Sequence, residues 1–169
     1  MTKKQIGVGV GMAAGAALMV AVLLCPDRWF GGVPGDLAER LGLAARASAI
    51  AMLWLVAAVG NVARGRFFSP VDIDGAGFAP PSARIAVDVA IVQNTLEQAV
   101  LASVLYFALA ALGGEEAGLI WRLVLLFCAG RFGFWAGYRC GAPWRAFGFA
   151  ATFYPIVYGY VVVGLRLFR

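Results

Sequence analysis

The chain has 169 residues, of which 62% are hydrophobic and 14% are charged, and its formal net charge is +5. This composition excludes an ordinary soluble domain, in which about 45–50% of residues are apolar, and indicates an integral membrane protein. The basic excess does not predict nucleic-acid binding, because Lys and Arg lie mostly at the ends of apolar segments, where they anchor helices. The sequence has no histidine and three cysteines without motif spacing, so we predict neither a metal site nor His-based catalysis.

Five apolar segments follow one another along the chain, and each is long enough to cross a bilayer as a helix. They are Ile6–Cys25, Ala47–Ala63, a segment from about Ala83 to Leu112, one from about Ala117 to Tyr138, and Ala146–Leu165. We therefore predict an all-α integral membrane protein. The fifth segment contains Pro155, which is tolerated where neighbouring helices satisfy the freed backbone groups.

The first segment predicts a retained helix rather than a cleaved signal peptide. Its apolar region is long, and Leu24 stands before Cys25 where a lipoprotein cleavage site needs a small residue. Gly7, Gly11 and Gly15 give this helix a small-residue face for close packing.

Basic residues lie in the connections on both predicted sides of the membrane, so charge sets the orientation only weakly. With five spans, the side of Lys3 and Lys4 holds slightly more Lys and Arg than the other, which predicts a cytoplasmic N-terminus, in a bacterial inner membrane. Of the two long connections, residues 26–46 are Gly-rich and residues 65–82 are rich in Pro and Gly. Asp72-Ile73-Asp74-Gly75 in the second predicts a turn, since the other ligands of a calcium loop are absent.

Glu97 is the most informative polar residue, because it lies deep within the third apolar segment. An ionisable group at that depth costs several kcal/mol unless it is paired or faces a polar cavity, and it marks a candidate functional site. Asn94 is its i, i+3 neighbour, so the amide and the carboxylate share one side of the helix. Arg131 in the fourth segment is the expected counter-charge. Arg84 and Asp88, rotated away from Glu97, predict a pair at the membrane edge.

The fourth segment places Arg131, Phe134, Trp135 and Tyr138 at helical spacing on one face. Gly130, Gly133 and Gly137 form a second face, where another helix can approach closely. A purely structural alternative remains open, in which Arg131 and Glu97 form a buried ion pair that fixes helix register.

These residues, taken in order, resemble the MAPEG family, the membrane-associated proteins of eicosanoid and glutathione metabolism. The resemblance rests on Asn94-x-x-Glu97, followed by Arg131, Tyr138 and Arg145 at the family's spacing, and it covers about residues 45–168. It implies a four-helix bundle, assembled as a homotrimer with glutathione bound between adjacent subunits. Residues 44–169 would form this MAPEG-like domain, and residues 1–43 would add one N-terminal transmembrane helix and a Gly-rich connection.

The resemblance also implies roles for individual residues. Asn94 and Glu97 would bind the peptide portion of glutathione, and Arg131 would pair with a carboxylate beside a hydrogen bond from Tyr138. Arg64, or else Arg66, would make a further contact with glutathione. Arg145 would activate the thiol, because a fixed guanidinium lowers a thiol's pKa and stabilises the nucleophilic thiolate.

One departure from the family pattern concerns Ala90, which stands where the family usually has an Arg, four residues before the Asn. Phe134 also stands where several members have Tyr. The loss of a cationic ligand predicts weaker glutathione binding, a different thiol donor or a site without catalysis.

Two hypotheses from different classes follow. The first is a glutathione-dependent transferase or peroxidase that acts on lipophilic electrophiles, with glutathione as co-substrate. The alternative is a non-catalytic MAPEG-fold module for membrane assembly or lipid binding. A third interpretation, a small transporter with Glu97 as its proton site, predicts flux that depends on a pH gradient.

Overall fold

The computed structural model describes residues 1–30, 32 and 35–168, and its regular structure there is entirely helical. Five long helices follow one another, with a short 3₁₀ helix, Asp27–Trp29, after the first. They are α1 (Lys3–Leu23), α2 (Leu37–Phe67), α3 (Ala83–Leu112), α4 (Gly114–Tyr138) and α5 (Ala142–Leu167). Within the described residues, these five helices are long and apolar enough to cross a membrane, which confirms the predicted fold class.

Residues 26–46 were predicted to form a connection, and this was wrong for their second half. Helix α2 begins at Leu37 and runs without a break into the second apolar segment. The Asp36 side chain accepts a hydrogen bond from the Glu39 N–H at 2.8 Å and so caps the first turn. Glu39 and Arg40 then extend the helix beyond its apolar part. A hydropathy criterion alone misses such a charged first turn.

Short connections join the last three helices. Gly113, with φ of 76°, closes the turn from α3 to α4, and Gly141, with φ of 110°, closes the turn from α4 to α5. Both backbone conformations favour glycine, because a Cβ there meets the adjacent carbonyl. At the first turn, Arg40 Nε donates to the Ala110 carbonyl oxygen at 3.1 Å and satisfies the end of α3.

The helices pack in two groups, and α4 contacts both. In one, α2 packs along α3 over a core that includes Ala47, Ala51, Ala99 and Tyr106. In the other, α5 lies between α4 and α1, and glycines line both contacts. The starts of α1, α3 and α5 and the ends of α2 and α4 meet at one end of the bundle, here named the Arg145 end.

The face of α4 that contains Gly130, Gly133 and Gly137 packs against α5, as the sequence predicts. A Cβ on Gly137 would lie 2.7 Å from the Trp144 carbonyl carbon, and one on Gly133 would lie 3.0 Å from the Phe147 ring. On the other side of α5, a Cβ on Gly15 of α1 would lie 2.7 Å from that of Ala150. Close backbone approach therefore fixes α5 from both sides.

The connection from α2 to α3 is a series of turns around Asp72, whose carboxylate is buried. It accepts hydrogen bonds from the Ser69 hydroxyl at 2.5 Å, from the Ser82 N–H at 2.7 Å and from the Ser82 hydroxyl at 2.8 Å. The Ser69 hydroxyl first, and then the Ser82 N–H, hold the pKa of Asp72 below its usual value of 3.8. Asp72 therefore anchors this connection to the first turn of α3.

Candidate functional site

A cavity of about 400 Å³ opens at the Arg145 end of the bundle, and it is here named the Arg145 cavity. Four helices contribute its walls, so it lies where α1 and α3 approach α4 and α5. Its lining is Val8, Met12, Ala90, Asn94, Phe134, Tyr138, Ala142, Arg145, Ala146 and Phe149. Three of the predicted site residues, Asn94, Tyr138 and Arg145, thus share one cavity.

Arg145 stands in the first turn of α5, and its side chain is exposed. Its guanidinium carbon lies 5.0 Å from the centroid of the Tyr138 ring. The Tyr138 ring in turn meets Phe134 edge-on, at a centroid distance of 5.4 Å. Within the part of the chain that the structure describes, the Arg145 guanidinium makes no hydrogen bond or ion pair. This leaves its five N–H donors available to an anionic ligand.

Arg131 lies behind the cavity wall and is 1% exposed. Its Nη1 donates to Asn94 Oδ1 at 2.8 Å, and its Nε and Nη2 donate to Thr152 Oγ1 at 3.2 and 3.1 Å. The Phe134 ring covers the guanidinium carbon at 4.7 Å. Arg131 therefore ties α3 and α5 to α4, and it fixes the Asn94 amide whose other face lines the cavity.

The expected ion pair between Arg131 and Glu97 is absent from the described residues. Glu97 is exposed on the outer side of α3, where its carboxylate accepts a hydrogen bond from Gln93 Nε2 at 2.9 Å. Asn94 and Thr152 satisfy the Arg131 guanidinium in its place. Asn94 and Glu97 differ by about 60° around the axis of α3, so Asn94 still faces the protein while Glu97 lies beyond that edge and faces outward.

Arg64 lies at the same end of the bundle but lines a different cavity of about 460 Å³, together with Arg84 and the Asp72 connection. Its Nη2 donates to Asn61 Oδ1 at 3.3 Å. Arg64 and Glu97 are thus not brought to the Arg145 cavity within one chain. Arg66 lies in the same last turn of α2.

The predicted pair between Arg84 and Asp88 was wrong. Asp88 is 2% exposed, and its partner is Arg139 at the end of α4, with Nη2 and Oδ1 2.9 Å apart. Because α4 ends where α3 begins, Arg139 reaches across the bundle to the buried carboxylate. The pair joins the two helices that carry Tyr138 and Asn94.

Besides the α5 alanines Ala142 and Ala146, sequence reasoning missed four residues at or near the site. Val8 and Met12 come from α1, Phe149 is one of several aromatics in α5, and Thr152 bonds to Arg131. Thr152 could have been suspected, because a hydroxyl in an apolar helix needs a partner; it also donates to the Gly148 carbonyl at 2.9 Å. For the α1 residues the only signal was the nearby Gly7-x-x-x-Gly11 spacing.

These observations define an α-helical membrane bundle with a largely apolar cavity at one end, into which a few polar side chains project. The MAPEG family model matches residues 41–165, and the chain belongs to the MAPEG family. A search of curated proteins and a search of solved structures found no match. The matched region contains α3 and α4 and nearly all of α2 and α5, whereas α1 lies outside it.

Proposed function

We propose that this protein is a glutathione-dependent transferase or peroxidase that acts on lipophilic electrophiles. The observation that carries the proposal is the convergence of Arg145, Tyr138 and Asn94 on one cavity at a membrane end of the bundle. The family, identified by its model, adds the expectation of glutathione as co-substrate. A cavity of about 400 Å³ is within the usual range of small-molecule sites.

Arg145 would activate the thiol. A guanidinium that stays protonated in a partly dry site favours the thiolate over the thiol and so lowers the pKa of the thiol. The Tyr138 ring beneath Arg145 holds the cation through its π face. No general base is needed, because the thiol proton passes to solvent at the open end of the cavity.

Asn94 would hold the peptide portion of glutathione, and Arg131 would act on it through Asn94. The Asn94 Oδ1 is engaged by Arg131, so the amide is oriented with its nitrogen free to donate to a ligand carbonyl or carboxylate. A direct contact of Arg131 with a carboxylate stays a prediction. The contacts of Arg64 and Glu97 with glutathione stay predictions as well.

Two reactions are open to a thiolate placed here. In conjugation, its sulfur attacks an electrophilic carbon, a C–S bond forms, and the leaving group departs with its electron pair. In peroxide reduction, it attacks the terminal oxygen of a lipid hydroperoxide, the O–O bond breaks, and the departing alkoxide takes a proton from solvent, which yields the alcohol and a sulfenic acid. A second glutathione then forms the disulfide and water.

The proposed homotrimer would account for the exposed position of Glu97. Glu97 lies near the middle of α3, exposed on the outside of one protomer, where a carboxylate facing lipid would cost several kcal/mol. Contact with an adjacent protomer would cover Glu97 and Gln93 together. We place the protein in a bacterial inner membrane with a cytoplasmic N-terminus, so that the Arg145 end faces cytoplasmic glutathione.

The test is glutathione binding by calorimetry and turnover of a chlorodinitrobenzene electrophile, with Arg145→Ala compared to wild type. We expect Arg145→Ala to retain glutathione binding and to lower turnover at least about a hundredfold, because the cation that stabilises the negative charge on sulfur is removed. Arg84→Ala, another exposed arginine at the same end of the bundle, is the matched control and keeps turnover. Equal turnover in Arg145→Ala and wild type would contradict the assigned role.

A non-catalytic MAPEG-fold module for assembly or lipid binding is the second candidate, and Ala90 favours it. Ala90 lines the Arg145 cavity, at the position where the family usually has an Arg. With that cation missing, the cavity offers one guanidinium to a ligand with two carboxylates. Failure to bind millimolar glutathione, with an intact assembly, would favour this candidate over the enzyme.

A further inference from the structure

We propose that α1 is part of the binding site, and that Val8 and Met12 form the surface on which the apolar part of the electrophile rests. The proposal rests on the proposed function, because it names where the second substrate lies relative to Arg145. It concerns a helix outside the region that matches the family model.

The position of α1 is fixed by close contact with α5. A Cβ on Gly7 would lie 2.8 Å from Pro143 Cγ, and one on Gly11 would overlap the Pro143 carbonyl oxygen. The same contact continues at Gly15, which is buried. Because α1 carries no side chain at these three positions, its backbone approaches α5 closely, and α1 cannot rotate without a clash.

This fixed rotation determines where the next residues of α1 point. Val8 and Met12 each follow a seam glycine by one position, so both lie at one edge of the contact and four residues apart. They line the Arg145 cavity from α1, while Asn94 and Ala90 line it from α3. Met12 is 39% exposed, so its thioether chain has room to adapt to a ligand.

The lining divides the cavity by chemistry. Arg145, Tyr138 and Asn94 supply its charged and polar groups, and the other seven lining residues are apolar. An occupant that satisfies both parts has an anionic, hydrogen-bonding head and an apolar tail. With the sulfur of glutathione at Arg145, a tail attached to that sulfur extends along Val8, Met12 and Phe149. The conjugate of glutathione with an alkyl chain has this shape.

The experiment measures the affinity of S-alkylglutathiones, from S-ethyl to S-hexyl, for the full-length protein in lipid nanodiscs by calorimetry. Wild type is expected to gain about three- to fourfold for each added methylene. Met12→Trp fills the wall, and the ratio of S-hexylglutathione to glutathione affinity is expected to fall by on the order of tenfold. Met12→Ala removes wall contacts, and we expect this ratio to fall by about threefold.

Met19→Trp is the matched control. Met19 lies two turns further along nearly the same face of α1 and is not among the cavity-lining residues, so the ratio should stay within about twofold of wild type. The role of α1 would be overturned if affinity did not rise with chain length in wild type, or if it rose as steeply in Met12→Trp as in wild type. In either case glutathione binding would still uphold the proposed function. Failure of every ligand to bind wild type, glutathione included, would overturn both.

Discussion

Arg131 and Arg145 lie on opposite sides of the wall of one cavity, yet the protein surrounds them differently. Arg131 is almost wholly buried, and two side chains accept hydrogen bonds from it while an aromatic ring covers it. Arg145 is exposed beside a cavity, and within the described residues its only recorded side-chain partner is the Tyr138 ring. Arg131 therefore holds three helices together, whereas the Arg145 guanidinium stays available for the ligand of the proposed function.

The largest expected loss of stability comes from Arg131→Leu. The substitution leaves the Asn94 carbonyl and the Thr152 hydroxyl without their donor, and bonds to a charged group contribute about 1.5–3 kcal/mol each. We expect the free energy of unfolding to fall by about 3 kcal/mol or more, measured by denaturant unfolding in detergent. Arg131→Lys should recover part of it, because an ammonium can reach only some of these acceptors. Unchanged unfolding in Arg131→Leu would refute the structural role.

A second loss is expected from Gly148→Ala, at the contact that brings Thr152 towards Arg131. A Cβ at Gly148 would overlap the Phe134 backbone, so α4 and α5 must separate, at a cost of about 1–3 kcal/mol. Gly164→Ala in the same helix is the matched control. Its Cβ meets nothing within 4 Å, and alanine stabilises a helix relative to glycine by about 0.5–1 kcal/mol. The two variants should therefore shift the melting temperature in opposite directions, and equal shifts would contradict the packing.

A third, smaller loss is expected from Arg139→Ala, which leaves the buried Asp88 carboxylate without its partner. Because Arg139 is more than half exposed and water can replace part of its contact, we expect about 1 kcal/mol. Restoring stability by the double variant Arg139→Ala with Asp88→Asn would confirm the coupling. Additive losses in the double variant would instead show that the two residues act independently.

The Asp72 connection should add a pH dependence of defined sign. Its folded-state pKa lies below its unfolded value, so its contribution is present above pH 3.8 and is lost as the pH falls through the folded value. Asp72→Asn should therefore lower the melting temperature at neutral pH and flatten its decline on acidification. Asp74→Asn, an exposed neighbour, should follow wild type. If the melting temperature of Asp72→Asn fell on acidification as steeply as that of wild type, Asp72 would not be the source of this pH dependence.

The smallest effect on stability is expected from Arg145→Ala, although this variant should lose the most activity. An exposed side chain without hydrogen bonds contributes within about 0.5 kcal/mol, so the melting temperature should stay near that of wild type. A strongly destabilised Arg145→Ala would place Arg145 with Arg131 as a structural residue.

Much of the fold was predictable, because uninterrupted apolar runs in a membrane protein leave the helix as the available structure. The bounds of α3 agree with prediction, whereas α2 begins ten residues earlier than its predicted start at Ala47, because Asp36 caps a charged first turn. Residues 31, 33 and 34 of the predicted Gly-rich connection lie outside the described residues, as does residue 169.

The candidate site was predictable only in part, because spacing along one helix does not reveal which neighbour a side chain meets. Helical spacing placed Tyr138 on the face of Arg131, and the family resemblance grouped Tyr138 with Asn94 and Arg145, which line the same cavity. Neither could show that the Arg131 guanidinium donates to Asn94 and Thr152 rather than to Glu97, since that depends on the rotation of α3. The sequence also could not show that Val8 and Met12 line the cavity, because their position depends on the packing of α1 against α5, at the other end of the chain.

The most direct test of the account measures the thiol pKa of glutathione bound to the protein, from the ultraviolet absorbance of the thiolate as a function of pH. We predict a bound-state pKa well below the usual thiol value of about 8.5. We also predict that the thiol pKa returns towards that value in Arg145→Ala and does not in Arg84→Ala. A bound thiol that titrates as in free solution, or a lowered pKa that persists in Arg145→Ala, would contradict the central claim that the Arg145 guanidinium stabilises a thiolate in this cavity.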